Sequence, residues 1–113
     1  MADCLFCKIA NHEIDSEIVL ETEGTVAFRD INPVAPSHVL VIPKRHVVSA
    51  HELGGGDAGL LGELFETVTR VASDAGIAEG YRVVTNVGAD AGQTVHHLHL
   101  HVIGGRSMSW PPG

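Results

Sequence analysis

At 113 residues, with 44% hydrophobic and 19% charged side chains, the chain suits one domain with one core and excludes a disordered or fibrous protein. A formal net charge of -7 argues against the basic face that DNA or RNA polymers require, although backbone N–H groups still allow binding of a single nucleotide phosphate. The start, Met1-Ala2-Asp3-Cys4-Leu5-Phe6-Cys7, lacks a positive segment followed by an apolar run, and no apolar stretch reaches membrane-spanning length; the expected location is the cytoplasm, with no membrane partner.

Taken in order, the elements begin with Cys4-x-x-Cys7, which in a reducing compartment points to metal or redox chemistry rather than a structural disulfide. A short helix is expected from Phe6 to Asn11, with Phe6 and Ile9 on one side. Ile18-Val19-Leu20 and Val26-Ala27-Phe28-Arg29 read as strands joined at the turn-forming pair Glu23-Gly24. Asp30-Ile31-Asn32-Pro33-Val34-Ala35-Pro36 must be a loop, because its prolines cannot donate to a ladder. His38-Val39-Leu40-Val41-Ile42-Pro43 is the best internal strand.

Gly54-Gly55-Gly56 breaks the chain ahead of a helix over Ala58 to Ala75, for which Asp57 is the expected N-cap and Gly76 the stop. Apolar residues recur there at helical spacing, and Leu61, Leu64 and Phe65 are expected in the core. Tyr81 to Asn86 is a further strand, followed by the glycine-bearing loop Gly88-Ala89-Asp90-Ala91-Gly92-Gln93-Thr94 and a histidine-rich strand. The expected fold class is α+β: one domain over residues 1–113, with a mainly antiparallel five-stranded sheet, one long helix and a short N-terminal helix.

Function concentrates in His96-His97-Leu98-His99-Leu100-His101-Val102-Ile103, which holds four of the chain's eight histidines. In an extended strand His97, His99 and His101 share one face at roughly 7 Å intervals, while Leu98, Leu100 and Val102 enter a core on the other. Imidazole serves near neutral pH as nucleophile, proton carrier or metal ligand. Regular alternation with aliphatics argues against a disordered metal-binding tract. The preceding loop can turn backbone amides toward an anion, Thr94 adds a hydroxyl, and Asn86 can reach the same oxygens.

His97-Leu98-His99-Leu100-His101-Val102-Ile103, entered through Gly92-Gln93-Thr94, resembles the histidine-triad (HIT) pattern. The ending Gly104 to Gly113, with Trp110-Pro111-Pro112-Gly113, and the stretches Asp30-Ile31-Asn32-Pro33 and His38 to His46 look like the Hint branch of that family. The resemblance runs from about Asp3 to the last residue. It implies a HIT-like fold and a nucleotide hydrolase, of the purine nucleoside phosphoramidase kind, that works through a nucleotidyl-histidine intermediate.

Carried over by position, the resemblance makes His99 the nucleophile on the α-phosphorus and His101 the donor to a non-bridging oxygen. Thr94 would help protonate the leaving group, and His38 would support the imidazoles; a hydrogen-bonded core role is equally open for His38. Asp30 would accept from ribose hydroxyls, and Phe6, Ile9, Phe28 and Ile31 would sandwich a purine or simply fill the core. Asn86, Gly92 and Gln93 would complete the phosphate end. Trp110 would reach the partner's site in a homodimer.

The same resemblance completes Cys4 and Cys7 with His46 and His97 as a structural Zn²⁺ site. A thioredoxin-like redox pair is the other reading, but it needs a helix start in a βαβ context that this sequence does not present. Rival functions are a dinucleoside polyphosphate hydrolase of the wider superfamily and a nucleotide-binding scaffold with vestigial catalysis. His96 is expected to face away from the site, and His12 and His51 to be solvated.

Overall fold

A computed structural model describes residues 4–113; Met1, Ala2 and Asp3, and with them the reading of the extreme N-terminus, lie outside the described residues. Helix α1 (Leu5–Ala10) opens the chain and leads into strands β1 (Ile18–Glu21), β2 (Thr25–Arg29) and β3 (Ser37–Pro43). Helix α2 (Ala58–Asp74), β4 (Tyr81–Val84) and β5 (Leu100–Gly104) follow. The five strands form one sheet in the order β1-β2-β3-β5-β4, antiparallel throughout, as the sequence led us to expect.

Every residue of the central strand β3 is buried, which explains its unbroken apolar run: each face meets a different layer. Val39 and Val41 pack with Leu98, Leu100 and Val102 against Leu64, Val68, Val71 and Ala72 of α2. Leu40 and Ile42 on the opposite face join Val26 and Phe28 and meet Phe6, Ile9 and Ala10 of α1. The two covers are unequal. A six-residue helix is only about 9 Å long, whereas five strands spaced at roughly 4.8 Å span about 19 Å. The face under α1 is therefore left partly open, and His38, His99 and His101 line the opening.

Two expectations about α2 are corrected. Leu61 and Phe65 are exposed, at 36% and 48%, because the buried stripe runs through Leu64, Thr67, Val68, Val71 and Ala72 instead. Asp57 stands at the cap position, but its carboxylate makes no cap bond to the helix. Its Oδ2 accepts from Gly54 N–H at 2.9 Å, closing the glycine turn, and its Oδ1 accepts from Arg45 at 3.0 Å. Gly76 does end the helix, in the left-handed region at φ 74°.

The histidine strand and β4 are both shorter than expected. Pairing in β5 begins only at Leu100, because the backbone before it is engaged elsewhere. Leu98 N–H donates to Val47 O at 2.6 Å, His97 O accepts from the His99 ring at 2.7 Å, and His99 O accepts from Thr85 Oγ1 at 2.9 Å. The Leu98 N–H is thereby committed outside the sheet. The alternation survives without a ladder: Leu98 lies in the α2 layer, while the His97 and His99 rings stack edge-on against Phe6 on the other side.

Glu63 ties α2 to the β1–β2 turn, accepting from Gly24 N–H at 2.9 Å and Thr22 Oγ1 at 3.0 Å, beside a buried Thr25–Thr67 hydroxyl pair at 2.8 Å. Glu63→Ala should cost about 1–2 kcal/mol in urea unfolding, the scale of hydrogen bonds to a charged acceptor. Unchanged stability would show that the turn holds without it.

Candidate active site and metal centre

The open part of the sheet face forms a cleft of about 830 Å³, lined among others by Phe6, Ile9, Phe28, Asp30, Ile31, His38, Thr94, His99 and His101. Nine residues singled out from the sequence are thus brought together from α1, β2, β3, β5 and two loops. Phe6, Ile9 and Phe28 are at the same time buried core and cleft wall, so the two readings of these residues coincide. Ile31 is 89% exposed on the loop after β2.

The hydrogen bonds set the state of each ring. A carbonyl can only accept, so the 2.7 Å contact to His97 O fixes the His99 proton on Nδ1. In the neutral ring this leaves the Nε2 lone pair as the nucleophilic atom. The ring is held on edge by Phe6, with centroids 5.1 Å apart, and by His101 at 5.0 Å.

A second chain of bonds starts at Val34. Its backbone N–H donates to His38 Nδ1 at 3.1 Å, which places the His38 proton on Nε2. Nε2 in turn donates to His101 Nδ1 at 2.9 Å, so a neutral His101 carries its proton on Nε2 and can donate it to an anion. Register explains the pairing: Leu40 lies opposite His101, which makes His38 and His101 diagonal neighbours on one sheet face. Burial, followed by the charges of His99 and His38, presses the His101 ring down to about 4, against an opposing pull from Asp30. His101 is therefore a neutral donor near pH 7.

Asp30 lies 3.4 Å from His38 Nε2 through Oδ2, and its Oδ1 accepts from Asn32 N–H at 2.8 Å. Each carboxylate oxygen has a second lone pair for a ligand hydroxyl. Asp30, His38 and His101 are close enough to hold a cation, with donor atoms within 4.8 Å of one another. The bonds argue otherwise, since His38 Nε2 carries a proton and the His101 Nδ1 lone pair receives it.

The other histidine cluster has the opposite character. Sγ of Cys4, Sγ of Cys7 and a ring nitrogen of each of His46 and His97 lie within 4.8 Å of one another. Cys4 Sγ to His97 Nδ1 is 3.3 Å, Cys7 Sγ to His46 Nδ1 is 3.2 Å and Cys7 Sγ to His97 Nδ1 is 3.4 Å. The edge between sulfur and nitrogen of a tetrahedron with metal–ligand bonds of about 2.3 and 2.0 Å is roughly 3.5 Å, so this donor set fits one ion. His97 Nε2 donates to Pro43 O at 2.8 Å, which turns the Nδ1 lone pair toward the sulfurs, a characteristic outer-shell contact of a metal-ligating histidine. Burial lowers the His97 ring's proton affinity, favouring the neutral form that binds metal. Burial, together with the neighbouring Cys4, pushes the Cys7 thiol up to about 11, so a cation is needed to draw out its thiolate. Cys4 caps α1 by accepting Cys7 N–H at 3.3 Å. The pair does stand at a helix start, but the strands around it are antiparallel and two imidazoles face it, which favours a metal over redox exchange.

Four expected nucleotide contacts lie outside the cleft lining. Gln93 is buried and spends its amide on the protein, while Gly92 and Asn86 sit against each other, a Cβ on Gly92 reaching 4.0 Å from Asn86 Nδ2. Trp110 is 81% exposed on the C-terminal segment, so it does not cap this chain's core. His96 and His51 are exposed, and His12 meets Glu21 at 3.0 Å on the surface. Sequence reasoning missed the backbone groups that orient the rings, Val34 N–H, Pro43 O and His97 O, together with Thr85 Oγ1. Backbone partners carry no residue-type signal.

Comparison with known proteins agrees with this geometry. The HIT domain family matches residues 11–108. A 14 kDa zinc-binding protein of Zea mays is 45% identical over 96% of this chain and 87% of its own length. Adenylylsulfatase HINT1 of Arabidopsis thaliana is 43% identical, covering 96% and 76%. The crystal structure of a HIT family hydrolase from Legionella pneumophila superposes with a TM-score of 0.96 at 46% identity, over 98% of this chain and 100% of that one. Triad, sheet and relatives together place this chain in the histidine-triad family, within its Hint branch.

Proposed function

We propose that this protein is a nucleotide hydrolase that cleaves purine nucleoside 5'-phosphoramidates to the nucleoside monophosphate and an amine. The observation that carries the reading is the 2.7 Å bond from His99 Nδ1 to His97 O, which leaves Nε2 as the free nitrogen of a ring lining the cleft. In the first step Nε2 forms a bond to the α-phosphorus as the bond from phosphorus to the leaving nitrogen breaks. The amine departs with a proton passed through the Thr94 hydroxyl, and His101 Nε2–H donates to a non-bridging oxygen as charge builds there. Water then attacks the phosphorus, its proton returns through the Thr94 hydroxyl to replace the one given to the amine, the bond to His99 breaks, and the ring returns to its starting state. Asp30 takes the ribose hydroxyls, while Phe6, Ile9, Phe28 and Ile31 cover the purine.

Asn86, Gly92 and Gln93 shape the loop at the phosphate end. The active form is a homodimer in which Trp110 reaches the partner's site, working in the cytoplasm on free nucleotides rather than on nucleic-acid polymers or membranes. Adenylyl sulfate is a second substrate candidate, favoured by the name of the Arabidopsis relative, and differs only in the leaving group. Cys4, Cys7, His46 and His97 hold a structural Zn²⁺. Four protein ligands close its coordination, so the ion supplies rigidity and no chemistry on the substrate.

His99→Ala should lower turnover of adenosine 5'-phosphoramidate by at least about 10³-fold while AMP affinity changes only a few-fold. Mass spectrometry of quenched wild-type enzyme should find AMP joined to His99; an active His99→Ala protein would end the reading.

Metal analysis should give one zinc per chain in the wild type and almost none in Cys4→Ser, which should also melt at lower temperature. Equal zinc in both proteins would remove the site.

An unfolded histidine titrates near 6.5, whereas His101 in the folded chain titrates at about 4. Between these values the unfolded chain binds the extra proton, so this contribution to stability is full above about 6.5 and is lost as pH falls toward 4. Melting temperature should drop across that window in wild type and drop less in His101→Asn. Parallel curves would take His101 out of the pH dependence.

A further inference from the structure

Gln93 stands beside Thr94 in the sequence, yet no atom of it lines the cleft. It is only 5% exposed, and its amide is used up inside the protein. Oε1 accepts from Gly88 N–H at 2.9 Å, and Nε2 donates to Val48 O at 2.7 Å and to Val95 O at 3.1 Å. Its backbone N–H also donates to Gly88 O at 3.0 Å, so Gln93 grips Gly88 at both polar groups. Gly88 and Gly92, at φ 86° and 91°, bracket the single turn that this grip closes. The other end of the amide holds the carbonyl just beyond Thr94 and fastens it to the segment after β3, where Leu98 N–H also docks on Val47 O. Thr94 itself is exposed, and its side-chain hydroxyl makes no bond within the protein among the described residues. Its place in the cleft is thus set by its neighbours.

We propose that Gln93 is a positioning residue that acts through Thr94: by clamping Gly88, Val48 and Val95, it holds the Thr94 hydroxyl at the leaving-group side of the cleft. This rests on the hydrolase reading and on the proton-passing role given there to Thr94. Neither Glu nor Met can do the same. Glu keeps the acceptor for Gly88 but loses both donors, and Met loses all three bonds.

The test compares two adenylyl substrates, one with an alkylamine leaving group that must be protonated and one with 4-nitrophenolate, which departs as a stable anion. Gln93→Glu and Gln93→Met should lower kcat for the amine substrate by roughly 10- to 100-fold, with KM within about two-fold and little change for the nitrophenyl substrate. The ratio of the two rates does not depend on how much of a variant is folded, so partial unfolding leaves the result readable. Combining Gln93→Glu with Thr94→Ala should be no worse than Thr94→Ala alone. Equal losses on both substrates, or losses that multiply in the double variant, would overturn the proposal. Failure of the hydrolase reading shows differently, as wild type that turns over neither substrate. Hydrogen exchange at the Thr94 and Val95 amides then decides: it should quicken at least ten-fold in Gln93→Glu, and unchanged exchange would refute the clamp.

Discussion

Residue 97 is held at two points, and the rest of the site hangs from it. Its ring is buried, with Nε2 donating to Pro43 O and Nδ1 facing two cysteines; its carbonyl, one bond further along the chain, takes the Nδ1 proton of His99. The Leu98 N–H beside it is spent on Val47 O, outside the sheet. The backbone here stays outside the sheet and enters it only at Leu100. The cost is absent strand pairing, offset by contacts from Val47 and Thr85. What results is an imidazole at residue 99 whose tautomer is fixed by backbone geometry, with Nε2 left as the free nitrogen.

Unequal cover on the two faces of the sheet produces both the stability and the opening. Helix α2 lays four buried aliphatic positions on one face and completes a core there. Helix α1, a third of that length, packs Phe6 and Ile9 on the other and stops. Those side chains turn one surface into the core and another into the cleft wall, so a base bound in the cleft would rest on the aromatic and aliphatic surface that helps hold the fold together. Cys4 joins this arrangement from the cap of α1, bringing the short helix against His97, with Cys4 Sγ 3.3 Å from His97 Nδ1.

Much of this could be read from residue type and spacing. The strands, the long helix, the alternation of His97, His99 and His101 with Leu98, Leu100 and Val102, and the Cys4-x-x-Cys7 pair all have side-chain signatures, whereas joining that pair to His46 and His97 came from the family resemblance. The misreadings share one cause. Leu61 and Phe65 fit a helical period, but a period gives the spacing of a stripe and not its edges, and packing against β2 and β3 selected Leu64, Val68, Val71 and Ala72. Asp57 has the chemistry of a cap, but the Gly54 N–H lay closer. Gln93 meets the same limit without being a misreading: it belongs to a motif next to the triad, and only the structure shows its amide turned inward. In each case tertiary geometry, absent from a one-dimensional pattern, decided among partners that were locally equivalent.

The two histidine clusters show how such geometry assigns different chemistry to the same side chain. His46 and His97 meet sulfurs, and His97 gives its proton to a carbonyl, so its other nitrogen keeps a lone pair for a metal. His38 is met by a backbone N–H, a donor, which places its proton on Nε2, from where it donates a hydrogen bond to His101 Nδ1. One backbone carbonyl, at the last residue of β3 (Pro43), and one backbone N–H, in the loop before β3 (Val34), thus divide the imidazoles into a ring with a lone pair open toward sulfurs and rings that pass a hydrogen bond along the cleft. Exchanging either contact for the other would invert the assignment, since a ring that accepts on one nitrogen cannot coordinate through the next without losing its only proton.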